Sequence, residues 1–348
     1  MSESETHLGF FEKYLAVWVA LCMAVGLLLS QFLPGLSQAI NGWQVAGISV
    51  PIGICLFLMM YPALLNLQLE ELKKLARNPK PIMLTLLSNW IIAPIVTVLL
   101  ARVFLTGHDQ LVVSLILLGA SPCTAMVLVW GTLAEGNQEQ NLITTSLNTV
   151  TIMVLYAPVV SLLTGMQSIA IDRRLLVISV LAFIGLPLVL GYLSKRYLIG
   201  SKGEPWFHGV YRPVVGRVSM MALLTTLVVL FSLNGDALLK NHDLMVLISV
   251  PLLAGFVLVV GMNLLITKIA GLQYREGIIT VIIGSSSHFE IAIATAISLY
   301  GIGSQAALGT TMGLFWEVPI MLGLVYLGKR LRDRGFWRAY KRVEDVTI

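Results

Sequence analysis

The chain has 348 residues, of which 57% are hydrophobic and only 12% charged, with a net charge of +5. A soluble domain carries about 25% charged residues, so this composition, with a mean hydropathy of +0.86, excludes a water-coated globule. Cys22, Cys55 and Cys123 each lie in an apolar run, which excludes a disulfide framework and a CxxC metal spacing, and topology explains the net charge better than a nucleic-acid surface does.

Apolar runs of about 20 residues, the length that crosses a bilayer, recur at 14–33, 45–65, 81–105, 110–133, 138–164, 173–198, 214–233, 243–267, 277–300 and 304–328. Turn signals separate them: LPGL at 33–36, RNPKP at 77–81, EGN at 135–137, NGD at 234–236 and GIGS at 301–304. The N-terminus, MSESETHLGFFEKY, is acidic before its first apolar run and reads as a retained anchor, not a secretory signal. A segment near 66–78 is amphipathic and predicts a short helix along the membrane interface. No linker is long enough for a soluble domain, so residues 1–348 read as a single membrane domain.

Charge sets the orientation. Of the 23 Lys and Arg, 19 fall on one side, in Lys13, the 66–80, 195–217 and 268–276 loops and the tail. Arg102, Arg173, Arg174 and Lys240 fall on the other. The positive-inside rule puts the rich side, and both termini, in the cytoplasm of a cell-membrane protein. An even number of spans agrees with that.

Sliding residues 118–147 by 165 positions lays Gly119 on Gly284, Ser121 on Ser286, Gly136 on Gly301, Gln140 on Gln305 and Thr145 on Thr310. Five matches in thirty barely exceed chance, but the shift also lays the fourth span on the ninth. Five spans is an odd number, so two such halves would insert with opposite orientation, as in many secondary carriers. The shift sets GASPCTAM (119–126) over GSSSHFEI (284–291), both small, polar and helix-weakening in mid-span. Non-helical backbone at that depth survives where it is buried or lines a cavity.

Nearly every acidic residue lies in a loop or near a span end, except Glu290 and Glu317. A carboxylate near the bilayer centre is expensive and marks a functional site; the competing reading is a hydrogen bond that pins two helices. Cys123 follows Pro122 at the weakest point of its span, whereas Cys22 and Cys55 read as small buried hydrophobes. Asn89 and Asn148 read as ligand-binding amides or as glue between helices. Trp130 reads as packing or ligand cage, and His288, opposite Cys123 under the shift, as a structural residue or a ligand. There is no HExxH, Walker loop or GxSxG, so protease, pump ATPase and hydrolase lack their motifs, and an assisting ATPase would be a separate chain.

The stretch PCTAMVLVW (122–130) followed by GN and SLN, with SNWIIAP (88–94), FEIAIATAISLYG (289–301) and EVPIMLGLV (317–325), resembles the arsenical-resistance-3 family of arsenite efflux permeases. That family belongs to the bile acid/arsenite/riboflavin transporter superfamily, and the resemblance spans nearly the whole chain. It implies an all-α integral membrane protein of ten transmembrane helices in two inverted five-helix repeats, about 14–164 and 173–328, with broken, crossing helices at spans 4 and 9. It implies export of arsenite, and with it antimonite, in exchange for protons, with no cofactor, resident metal, nucleic acid or enzymatic activity. Its functional positions carry over as Asn89, Cys123, Trp130, Asn148, Glu290 and Glu317, the two glutamates serving proton coupling. Pro122, read from the residues as the structural break, stands where many members have Arg, and His288 where many have a small or amide residue. The alternatives are a sodium-coupled organic-anion symporter, whose ion cage would draw on Gln305 with Glu290, and a non-transporting receptor.

Overall fold

In lipid, a helix is the form in which an apolar backbone satisfies its own hydrogen bonds, and helix dominates this chain. The computed structural model describes residues 14–33, 35, 42–45, 48–65, 78–124 and 126–337. In chain order α1 is Leu15–Phe32, α2 Val50–Leu65, α3 Pro79–Phe104, α4 Asp109–Gly119, α5 Met126–Leu133 and α6 Gln138–Met166. They are followed by α7 (Arg173–Lys202), α8 (Arg212–Lys240), α9 (His242–Ile269), α10 (Tyr274–Ser285), α11 (Phe289–Tyr300) and α12 (Gln305–Asp333). The predicted interfacial segment 66–78 lies, but for Asn78, outside the described residues.

Six of these stretches are long and apolar enough to cross a membrane unaided. Their outward faces are greasy: on α3, Ile91, Ile95, Leu99 and Val103 form an exposed stripe at four-residue spacing, as lipid-facing positions require. The chain is a multi-pass membrane protein.

Three helical stretches contain a π turn, at Ser88–Ile92, Leu181–Gly185 and Phe207–Tyr211. Each is followed two residues later by proline: Pro94, Pro187 and Pro213. Proline has no N–H for the carbonyl four residues back, and the widened turn accommodates that loss.

The helices sort into two groups. In one, α8 packs along α1 and α2, and α7 along α2. Gly26 and Gly235 make this close approach feasible, since a Cβ on Gly26 would lie 2.6 Å from Phe231 Cβ and one on Gly235 equally close to Ser30. The other group joins α3, α4, α9 and α12, with α5 on α6 and α11 on α12. The start of α7 bridges the groups by packing on α11. Loops gather at opposite ends. At one end Asn137 N donates to Arg275 O at 2.8 Å and Asn78 Nδ2 to Glu276 Oε1 at 2.7 Å. At the other, an Arg102 guanidinium N donates to Met166 O at 2.9 Å and Gly303 N to Asn234 Oδ1 at 3.0 Å.

The runs 110–133 and 277–300 are each two helices, broken as expected of the fourth and ninth spans, with the interruptions between Gly119 and Met126 and between Ser285 and Phe289. Two sequence expectations are corrected. The run beginning at 45 turns helical only at Val50, because Gln44–Val45 pairs antiparallel with Ile48–Ser49. NGD at 234–236 is not a turn but lies inside α8. There Asn234 donates to Leu230 O within the helix and accepts from Gly303, while Gly235 admits α1, so tertiary contacts override the local turn signal.

Candidate functional site

The two helix interruptions meet. Pro122 pairs with Ser287 in an isolated antiparallel bridge, two residues 165 positions apart. Cys123 N donates to Ser286 O at 3.3 Å and His288 N to Ser121 O at 2.6 Å, so the bonds straddle the pair. This is the antiparallel position that uses neither residue's own N–H, and a proline fits it without leaving a bond unmade. Exchanging each residue for its counterpart 165 positions away converts one bond into the other, which makes the crossing locally twofold. Small residues permit the approach: a Cβ on Gly119 would fall 2.4 Å from Thr97 Cγ2, and one on Gly284 3.0 Å from Ser88 Cβ.

Cys123, on the α4–α5 interruption, is 2% exposed. Its carbonyl accepts from Asn148 Nδ2 of α6 at 3.1 Å, and Asn148 Oδ1 accepts from Asn89 Nδ2 of α3 at 3.1 Å. Asn89 sits in the π turn of α3, and the widened turn presents it to α6. Two further spans, α6 and α3, are thus tied to the backbone of the cysteine. Both ends of the Asn148 amide are engaged in that tie, while Asn89 also lines a cavity.

The carboxylates lie on the other half of the crossing. Glu317 of α12 accepts from Ser286 Oγ at 2.6 Å, Ser287 N at 3.1 Å and Ser287 Oγ at 2.5 Å. Three donors converging on two oxygens suit the acceptor-only role of an ionised carboxylate. Glu290, in the first turn of α11, has Oε2 3.3 Å from His288 Nδ1, and this oxygen makes no hydrogen bond among the described residues. His288 Nδ1 accepts from Ile291 N at 3.3 Å, capping α11, and its Nε2 is buried without a partner among the described residues.

A cavity of about 70 Å³ adjoins the crossing, with Asn89, Ser121, Pro122, Ser286 and Ser287 in its wall. Its remaining wall is largely apolar, from α3, α4 and α9. Cys123 follows Pro122 directly in the chain but is not itself among the residues that line this cavity.

The structure therefore brings together Asn89, Pro122, Cys123, Asn148, Glu290 and Glu317. Trp130 lies two turns further along, 1% exposed in the apolar core. Gln305 is not beside Glu290: α11 stands between them, and Glu290 to Tyr300 alone spans about 15 Å at 1.5 Å per residue. The shared ion cage of the symporter alternative is thereby corrected. Ser286 and Ser287 as the donors to Glu317 went unread in the sequence; the serine run was visible, the carboxylate it would meet was not. Among the described residues no cluster of three or more His, Cys, Asp or Glu could hold a metal.

Beyond the spans, Glu135 in the turn after α5 accepts from Lys329 Nζ and Arg332 of α12, both at 2.7 Å. These two cations hold its carboxyl below the usual range.

The Sodium Bile acid symporter family matches residues 53–241. The chain is 35% identical to the arsenical-resistance protein Acr3 of Alkaliphilus metalliredigens, over 93% of this chain and 94% of that one. It is 32% identical to Acr3 of Corynebacterium glutamicum, over 92% and 89%. It is also 36% identical to an uncharacterized transporter of Synechocystis, over 95% and 90%.

Proposed function

This chain belongs to the Sodium Bile acid symporter family and is a membrane transporter of its Acr3 type, and from that premise we propose that it exports arsenite, and with it antimonite, in exchange for protons. It confers arsenic resistance from the cell membrane, with both termini in the cytoplasm. Its ten spans form two inverted five-helix halves in one domain. The lengths of the elements support that reading: a shift of 165 residues makes α4 start where α10 starts and α3 end where α9 ends, and sets α6 two residues from α12 at each end.

The observation that carries the reading is a thiol seated at the crossing of two broken helices, its backbone held by Asn148 and Asn89, beside two buried carboxylates. Trivalent arsenic and antimony are soft and bond to sulfur, which sodium and carboxylic acids do not require. At Cys123 an As–S bond forms as one As–O bond breaks, and the thiol proton leaves with the hydroxide as water. The reverse step frees arsenite. One sulfur suits a carrier, because several would hold the metalloid too tightly for release. Asn89, on the cavity wall, is placed to hydrogen-bond an arsenite hydroxyl; Asn148 acts through Cys123 by fixing its carbonyl. Trp130 packs the helix that follows. Glu290 exchanges the proton, and Glu317 supports it by fastening Ser286 and Ser287, the backbone on which α11 begins.

The test is arsenite accumulation in an efflux-deleted cell and in everted vesicles. Cys123→Ser keeps the side-chain size, removes the soft sulfur, and should abolish export at unchanged protein level, while Cys22→Ser and Cys55→Ser change little. Export at the normal rate by Cys123→Ser would remove the thiol from the mechanism. A sodium requirement in vesicles would replace proton exchange with symport.

A further inference from the structure

His288 is 1% exposed and Glu290 2%, and their polar atoms are unequally supplied with partners. His288 Nδ1 has a single in-plane position, which is either a lone pair or an N–H. By accepting from Ile291 N at 3.3 Å it serves as the lone pair, so the ring proton sits on Nε2. Glu290 Oε2, 3.3 Å from the same nitrogen, would then present a second lone pair to it if the carboxyl were ionised. A proton on Oε2 turns that repulsion into an O–H that shares the Nδ1 lone pair with Ile291 N, so the cap is kept. When Glu290 loses its proton, the favourable arrangement reverses: Nδ1 must carry hydrogen to face the carboxylate, and an Nδ1–H cannot accept from Ile291. The cap and the ionised carboxylate therefore exclude each other.

We propose that His288 is a positioning residue that couples the proton on Glu290 to the capping of α11, so that loading the proton closes the first turn of the helix at the crossing and releasing it opens that turn. This rests on the reading of Glu290 as the exchanged-proton site. The opened turn lies directly after Ser287, which is bridged to Pro122 next to Cys123. Proton occupancy thereby reaches the backbone that holds the thiol through three consecutive residues. The proton balances within the pair: what leaves Oε2 goes to solvent on one side of the membrane, and the ring only moves its own hydrogen between nitrogens.

Other titratable groups on neighbouring elements are Glu317 of α12, which acts on Glu290 electrostatically, Cys123 of the first interruption, Tyr156 of α6 and Cys55 of α2. Asp109 at the start of α4 acts on Tyr300 at the opposite end of α11, and Arg173 and Arg174 are exposed at the start of α7. Glu317 has its oxygens engaged by three serine donors, and Tyr156 OH donates to Leu117 O at 3.4 Å.

Amide hydrogen exchange on the purified full chain in lipid nanodiscs, corrected for intrinsic rates, tests this without any substrate. Protection of the peptide covering 288–293 should fall about fivefold from acid to alkaline pH, the scale of losing one helix cap, while a peptide from α9 stays constant. His288→Asn supplies a capping oxygen that no proton can turn into a donor, so its protection should be independent of pH. Glu290→Gln, always able to donate to Nδ1, should also stay protected throughout, and it serves if the His288 variant does not insert. Wild-type protection that ignores pH, or a pH response surviving in His288→Asn or Glu290→Gln, overturns the proposal. In vesicles His288→Asn should keep arsenite counterflow and flatten the pH profile of net export. If vesicles carry no arsenite but the exchange switch persists, the transport reading fails and the coupling stands.

Discussion

Glu317 and Glu290 are equally buried, at 2% exposure each, yet they sit in opposite environments. Glu317 collects three donors from Ser286 and Ser287 and ties α12 to the second helix interruption. Glu290 faces a histidine nitrogen that is already spent on a helix cap, and one of its oxygens has no hydrogen bond among the described residues. Burial alone makes both candidates for function; partner count separates the one that is held from the one proposed to exchange a proton. A carboxylate with three fixed donors is a fastening. A carboxylate short of donors is the one we propose as the proton site.

The largest expected effect breaks the comparison at the unfastened side. Glu290→Gln should abolish the response of arsenite uptake to an acid-inside gradient in everted vesicles while leaving the amount of inserted protein unchanged. Retained proton-driven uptake in this variant would assign the coupling elsewhere. Glu317→Gln should do the converse. It places an amide donor among donors and leaves buried groups imperfectly paired, a loss of about 1–3 kcal/mol. The thermal midpoint in detergent should drop, with transport per folded molecule largely kept. If Glu317→Gln instead inactivates a carrier of normal stability, the two carboxylates share the chemistry and the contrast collapses.

A smaller effect sharpens the same point from the donor side. Replacing Ser286 and Ser287 together by Ala removes two hydroxyl donors and leaves the Ser287 N–H in place. The thermal midpoint should fall in the same direction as for Glu317→Gln, and adding the double serine change to Glu317→Gln should cost less than the sum, as for groups in one network. Full additivity would show that the serines do not act through Glu317.

How much of this was legible follows from which forces are local. The shift of 165 rested on five weak matches, yet it is the separation of the bridged pair Pro122 and Ser287. The interruptions were legible because proline, glycine and serine weaken helices through their own backbones. They are narrower than expected, since Gly119 and Gly284 remain helical and serve close packing instead. Pro94, Pro187 and Pro213 carried a signal for the π turns that went unread. What sequence did not disclose is which helix stands beside which. The partners of Glu317, the tie from Asn89 through Asn148 to Cys123, and the tertiary use of Asn234 all depend on neighbours between 25 and 69 residues away.

The smallest expected effect concerns a third carboxylate, outside the spans, that tests whether partner count matters without burial. Glu135 has two cationic partners at 2.7 Å, but its side chain is 58% exposed. It also holds a left-handed backbone, at φ 56, which a residue with a Cβ adopts at some expense. Solvent and salt screen such pairs, which contribute about 0–1 kcal/mol. Lys329 and Arg332 lower the Glu135 pKa from its ordinary value of 4.5. A depressed carboxylate contributes stability that is fully present above that ordinary value and is lost as pH falls through the lowered one. Glu135→Gln should therefore lower the thermal midpoint slightly at pH 7 in dilute salt. The difference from wild type should shrink toward zero in about 1 M salt, where the Debye length is about 3 Å, and again below the depressed value. A large, salt-independent loss would mean that the turn after α5 depends on Glu135 for its shape, and that even an exposed carboxylate is fixed here as firmly as Glu317.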